Sequence, residues 1–120
     1  MVTFFGGHQN ASDASLKTPN PPAASSDEAL QMLKSVEARV YERLDFPNAG
    51  SRLGFIAQEV EAALPSTWGN LVGQTTVADT PGGEGRDVKT VDYARLVCCL
   101  WQANRSMLAR IEALEAAAAP

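Results

Sequence analysis

Residues 92–117 read DYARLVCCLWQANRSMLARIEALEAA, the most regular pattern in the chain. Its apolar side chains recur at alternating spacings of three and four residues, which is the heptad pattern of a coiled coil. The pattern defines a seam of six positions: Val97, Leu100, Asn104, Met107, Ile111 and Leu114. We therefore predict one C-terminal helix from Asp92 to Ala117, with Asn104 as the polar residue of an otherwise apolar seam.

Such a seam has two interpretations: the helix lies on its own domain, or it packs against copies of itself. About 25 helical residues extend roughly 37 Å, which is more length than a small domain covers. Self-association is therefore the better account of the seam. A polar residue at a core position costs stability and fixes the register or the number of strands, so Asn104 should face its own symmetry mates.

The composition limits the classes of protein to which the chain can belong. With 120 residues, of which 45% are hydrophobic and 20% charged, the chain is long enough for one domain with a single core. Ten basic and fourteen acidic residues give a net charge of -4, which repels nucleic-acid backbones. The longest strongly apolar stretch, Leu96–Trp101, is too short to cross a membrane. We expect no nucleic-acid partner and no membrane segment in this chain.

Residue types that bind metals are sparse in the sequence. The two cysteines, Cys98 and Cys99, are adjacent, and neighbours on a helix point about 100° apart, so they neither pair with each other nor form a zinc site alone. The one histidine, His8, lacks the second histidine of most zinc hydrolase sites. We expect no metal and no cofactor.

Upstream of the long helix, local patterns predict short helices and β-hairpins. Ser25 and Glu28 have the spacing of a capping box, which marks the start of a helix. Val36, Ala38 and Val40 alternate with polar residues, as in a half-buried strand. The predicted elements are a strand over 2–5, an extended arm over 9–26, helices over 27–34 and 57–64, and strands over 36–41, 52–56, 71–77 and 88–91. The fold class is α+β, with the long helix at its C-terminus.

Ser12 and Lys17 are the candidate chemical residues, in the stretch SDASLK that begins at Ser12. A serine hydroxyl can act as a nucleophile when a nearby lysine amine takes its proton. Serines within a few residues of a lysine are common in polar segments. The spacing alone therefore does not separate a catalytic pair from a solvated arm.

Four stretches, taken in order, resemble a known family. They are Ser12-Asp13 with Leu16-Lys17, the helix and strand from Ala29 to Tyr41, the sequence GFIAQEV over 54–60, and KTVDY over 89–93 with Leu96 leading into the long helix. From about Ser12 to Glu115, the chain resembles the C-terminal intramolecular chaperone and self-cleaving domain of endosialidase-type phage tailspikes, which is also found in myelin regulatory factor.

The resemblance implies both an assembly and a chemistry. It implies a homotrimer whose C-terminal helices form a trimeric coiled coil, with an upstream fibre or tailspike domain as the folding client. It implies Ser12 as the nucleophile and Lys17 as the general base of a Ser-Lys dyad, with Asp13 as a motif neighbour of open role. The domains are then an upstream remnant or short strand over 1–11, the chaperone body with its arm over 12–91, and the trimerisation helix over 92–120. Folding would take place in the cytoplasm, during assembly of virus or phage structural proteins.

The scissile bond should adjoin Ser12. Attack of the Ser12 hydroxyl on the carbonyl of Ala11 passes through a five-membered ring, whereas attack on its own carbonyl needs a strained four-membered ring. We therefore predict a cut between Ala11 and Ser12, since a cut after Ser12 would need a nucleophile from water or another subunit. A lysine with an ordinary pKa of about 10.4 acts as a base near neutral pH only after a lowering of roughly three units. We expect folding or assembly to provide it by desolvation.

One departure from the family keeps an alternative open. The residues TPNPP, over 18–22, separate Lys17 from the first helix, where the family commonly continues with Asn-Ile-like residues. This insertion can displace Lys17 from the core. The alternative is a catalytically inert homotrimerisation module with the same fold. With eleven residues before Ser12, we expect the client to be either a fibre upstream or another chain.

Overall fold

The computed structural model describes residues 11–78 and 83–120, and within these ranges the chain forms three helices and two antiparallel hairpins. In chain order the elements are α1 (Ser26–Ser35), β1 (Arg39–Tyr41), β2 (Arg52–Gly54), α2 (Ala57–Ala63), β3 (Val72–Ala78), β4 (Gly85–Val91) and α3 (Tyr93–Ala118). The α+β class of short helices, hairpins and a long C-terminal helix is confirmed. The strand predicted over 2–5 lies outside the described residues.

Helices α1 and α3 begin at polar caps, of which the sequence analysis identified the one at Ser25. The Ser25 side chain accepts a hydrogen bond of 3.2 Å from the Glu28 backbone N–H at the start of α1. The Asp92 carboxylate accepts one of 3.1 Å from the Arg95 backbone N–H at the start of α3. Because these caps satisfy N–H groups that have no partner inside the helix, they fix where each helix begins. The boundaries predicted for α1 and α3 are confirmed to within one residue.

The first hairpin corrects one prediction about the strand over 36–41. β1 begins at Arg39 rather than at Val36, and its predicted apolar face is wrong: Val40 is 74% exposed, Ala38 is exposed, and Val36 is a half-buried residue at the end of α1. Val40 pairs with Leu53 across the hairpin, so both side chains share the exposed face.

The face of this hairpin that packs on the body carries Tyr41 and Gly54. A side chain at Gly54 would place its Cβ 2.6 Å from the Tyr93 hydroxyl and 3.0 Å from the Tyr41 hydroxyl. The Tyr93 hydroxyl accepts a hydrogen bond of 2.9 Å from the Phe55 backbone N–H, and the two rings stack with centroids 5.9 Å apart. Alternation along one strand shows that the hairpin has two faces, but only this contact with α3 decides which of them is covered.

The core lies where α1, α2 and α3 meet. Its buried cluster consists of Ala29, Met32, Val60, Cys99 and Ala103. Small side chains dominate this cluster, so the α1 and α3 backbones approach closely, and Val60 of α2 is the largest side chain that is fully buried within the described residues. The long helix therefore does pack on its own domain, through a face that the predicted seam does not include.

The second hairpin projects from the body and is tied to it at its base. β3 and β4 pair in register from Val72 opposite Val91 to Ala78 opposite Gly85. The Lys89 ammonium lies 2.9 Å from the Glu61 carboxylate of α2. Over the described ranges, no helix has the length and apolar character needed to span a bilayer, and no group of His, Cys, Asp or Glu side chains is arranged to hold a metal ion.

Candidate functional site

Ser12 and Lys17 lie at the two ends of a 3₁₀ turn formed by Ala14–Leu16. The turn is closed by backbone hydrogen bonds from Leu16 N–H to the Asp13 carbonyl (3.0 Å) and from Lys17 N–H to the Ala14 carbonyl (3.1 Å). The Lys17 Nζ lies 2.6 Å from the Ser12 Oγ and donates a hydrogen bond to it. The structure thus brings together the two side chains that the sequence paired.

Asp13 lies between them and caps the turn. Its Oδ1 accepts a hydrogen bond of 2.8 Å from the Ser15 backbone N–H. This bond and a further one from the Ser15 side chain hold the pKa of the Asp13 carboxyl below its ordinary value, and the nearby Lys17 charge adds to the same effect. Asp13 is therefore a carboxylate at neutral pH, and this carboxylate accepts its hydrogen bond from the turn.

The dyad is surrounded by water in a single chain. Ala11, Ser12, Lys17 and the proline-bearing residues 18–22 are all exposed, and the turn buries none of its residues. Among residues 11–78 and 83–120, no apolar surface covers the lysine amine. The geometry for proton transfer between Oγ and Nζ is present, whereas the desolvation that a lysine base requires is not supplied by one protomer.

The arm that carries the dyad is fastened to α3. The Gln102 side chain donates a hydrogen bond of 2.7 Å from Nε2 to the Ala24 carbonyl oxygen. Ala23 and Ala24 line a shallow hollow together with Val97 and Trp101 of α3. Because Val97 belongs to the predicted seam, the arm touches the same helix that would form the coiled coil.

The seam residues lie on a face of α3 that the domain leaves largely open. Val97, Leu100, Ile111 and Leu114 are between 48% and 70% exposed, Asn104 is exposed, and Met107 is half-buried. The buried residues of α3 are Cys99, Ala103 and Ser106. Successive helical residues point about 100° apart, so the buried stripe and the seam occupy different faces. Leu100 also borders an apolar hollow that Leu33, Phe55 and Leu96 line.

Several of these contacts were not identified from the sequence. Cys99 and Ala103 are four residues apart, a helical spacing that would have marked a second apolar stripe. Burial, and to a smaller extent the adjacent Cys98, raises the pKa of the Cys99 thiol, as suits a packing residue. The Gln102 contact with Ala24 spans 78 residues of sequence, and no local pattern indicates it.

Comparison with known proteins bears on the first half of the chain. Residues 12–69 match the model of a peptidase family described as the chaperone of endosialidase. No curated protein matches the chain. The match begins at Ser12 and includes Lys17, α1, the first hairpin and α2, whereas KTVDY and the long helix lie beyond it. The matched family supports a chaperone role and is consistent with self-cleavage. Over residues 12–69, the chain is therefore similar to the chaperone-of-endosialidase family, as its sequence motifs indicated.

Proposed function

We propose that this chain is an intramolecular chaperone that holds three copies of a fibre or tailspike-like protein together during folding and then cuts itself away next to Ser12. One observation carries the proposal: Lys17 Nζ lies 2.6 Å from Ser12 Oγ at the first residues of the match to the chaperone family. The reaction is a single-turnover cleavage by a serine endopeptidase dyad. It uses no metal and no cofactor.

The proposed cleavage begins with attack by Ser12 on the preceding carbonyl. The Ser12 Oγ forms a bond to the carbonyl carbon of Ala11 while the neutral Lys17 amine takes the hydroxyl proton. The Ala11–Ser12 peptide bond then breaks, and the proton passes from Lys17 to the departing Ser12 nitrogen. The product is an ester between Ala11 and the Ser12 side chain. Water hydrolyses this ester, which leaves a carboxylate on Ala11 and restores the Ser12 hydroxyl.

The open face of α3 supports a homotrimer. More large hydrophobic side chains are exposed than buried within the described residues, and seven of the exposed ones lie on α3: Tyr93, Val97, Leu100, Trp101, Leu108, Ile111 and Leu114. Burial of apolar area at about 25 cal/mol per Å² favours association of such a helix with copies of itself. A trimer would also bring neighbouring protomers close to the arm, which contacts α3 through Gln102 and Val97.

Assembly would then control the chemistry. In one chain the dyad is exposed, so the amine remains solvated. A protomer packed beside the arm would remove water from Lys17 and favour its neutral form. Cleavage would follow trimer formation and would release a client that has already folded. We place this step in the cytoplasm, during assembly of a fibre whose chain precedes Ser12.

A second function is favoured by the exposure of the dyad and by the prolines that follow it. Pro19, Pro21 and Pro22 keep residues 18–24 outside any helix or strand between Lys17 and α1. If this segment prevents the arm from docking, the chain is a catalytically inert homotrimerisation module.

Two measurements on the purified protein test the proposal. The intact mass should correspond to a chain that begins at Ser12, and light scattering should give three times the mass of that chain. A full-length trimer would contradict cleavage and favour the inert module. A monomer over the micromolar range would contradict both functions.

A further inference from the structure

The Ser12–Lys17 contact depends on a turn that has little else to hold it. The turn is exposed, buries none of its residues, and is closed by two backbone hydrogen bonds. The long Lys17 side chain gains little from one exposed contact with Ser12 in water, because the lysine loses rotamer freedom. A short exposed 3₁₀ turn is itself only marginally stable, because its hydrogen-bond geometry is poorer than that of an α-helix. A local hydrogen bond that closes the turn therefore has a large effect on how often Nζ meets Oγ.

We propose that Asp13 is a positioning residue that caps this turn and so brings Lys17 Nζ to Ser12 Oγ; the inference rests on the self-cleavage proposed above. The Asp13 backbone is extended (φ -64°, ψ 141°), and its carboxylate accepts the Ser15 N–H, as expected of a residue that precedes a helical turn. Its carbonyl accepts the Leu16 N–H. The side chain and the backbone of Asp13 thus both close the turn from the residue that precedes it.

Asp13 positions Lys17 through its hydrogen bond to the turn and not through its negative charge. Lys17 is the charged group that faces the carboxylate. A neighbouring negative charge does not help an amine to give up its proton. Asparagine accepts the same hydrogen bond and caps helical turns about as well as aspartate, whereas alanine cannot accept it. Asp13→Asn should therefore retain the function of Asp13, and Asp13→Ala should lose it.

Cleavage rates of matched variants test this assignment. The full chain is synthesised in a cell-free system, and the ratio of cut to uncut chain is followed by intact mass. Asp13→Ala should slow cleavage about fivefold, the typical effect of a lost N-cap, while Asp13→Asn should cut at least as fast as the native chain. Asp27→Ala, which removes an exposed acidic residue in the first turn of α1, is the control and should cut normally. An Asp13→Ala rate equal to the native rate, or an Asp13→Asn rate as slow as that of Asp13→Ala, would overturn the assignment.

A second readout does not depend on cleavage. In the Ser12→Ala chain, the amide proton shift of Ser15 should follow the titration of the Asp13 carboxyl by NMR, and Asp13→Asn should abolish this titration. Because the carboxyl pKa is lowered, the charged cap is complete above the ordinary aspartate value of 3.8 and is lost as the pH falls through the lowered pKa. A Ser15 amide proton shift that does not change as the Asp13 carboxyl titrates would contradict the cap. If the native chain is never cut, the proposed function fails, and the NMR result still decides whether Asp13 orders the turn.

Discussion

Replacement of Leu100 by aspartate should abolish trimer formation and cleavage together. Leu100 occupies a core position of the seam and remains 48% exposed in one chain. Full burial of a leucine side chain stabilises by about 1.5–3 kcal/mol, so the half that is still exposed represents about 0.7–1.5 kcal/mol per chain, or about 2–4 kcal/mol per trimer. Three aspartates at position 100 of a trimer remove this burial free energy and also place like charges next to each other. A loss of about 4 kcal/mol lowers the assembly constant roughly a thousandfold.

Light scattering and intact mass measure the two effects on the same sample. Leu100→Asp should be a monomer at micromolar concentration and should keep its full length, although Ser12 and Lys17 are unchanged. Leu44→Asp is the matched control, because Leu44 lies in the turn of the first hairpin, is 96% exposed and is outside the seam. That variant should assemble and cut normally. A monomeric Leu100→Asp chain that still loses its first eleven residues would refute the link between assembly and cleavage.

Two further substitutions test the seam and the packing of the first hairpin. Asn104→Ile should raise the thermal midpoint of the trimer at fixed protein concentration and loosen the choice of strand number in sedimentation analysis, because a polar core residue trades stability for specificity; a lower midpoint would exclude Asn104 from the core. Gly54→Ala should lower the free energy of unfolding by about 1–3 kcal/mol in urea titrations, since its Cβ would lie 2.6 Å from the Tyr93 hydroxyl. The control, Gly69→Ala, meets nothing within 4 Å and should leave stability unchanged.

Local signals in the sequence were sufficient to predict most elements. The cap at Ser25 acts on a backbone N–H group three residues away, so the start of α1 could be read directly from the sequence. The spacing of Ser12 and Lys17 likewise depends on one short turn. These features are decided within about five residues of the chain, and long-range packing does not change them.

Features that depend on tertiary contacts could not be predicted in this way. The alternation over 36–41 suggested that Val40 faces inward, but the hairpin presents Tyr41 to Tyr93 of α3 instead, and only the placement of α3 selects that face. Attachment of the arm through Gln102 joins residues far apart in sequence. The seam pattern concealed the second stripe on α3, because helix positions that face α1 carry small residues rather than large apolar ones.

Self-cleavage by Ser12 and Lys17 is tested by the intact masses of variants at these two residues. The native chain should be recovered as a product that begins at Ser12. Ser12→Ala, Lys17→Ala and Lys17→Arg should each give a full-length trimer, because they remove the nucleophile, remove the base, or replace the base with a guanidinium that stays charged. Ser15→Ala should be cut normally, since alanine keeps the amide N–H that Asp13 caps. Full-length native chain, or loss of the first eleven residues in Ser12→Ala, would contradict self-cleavage by this dyad.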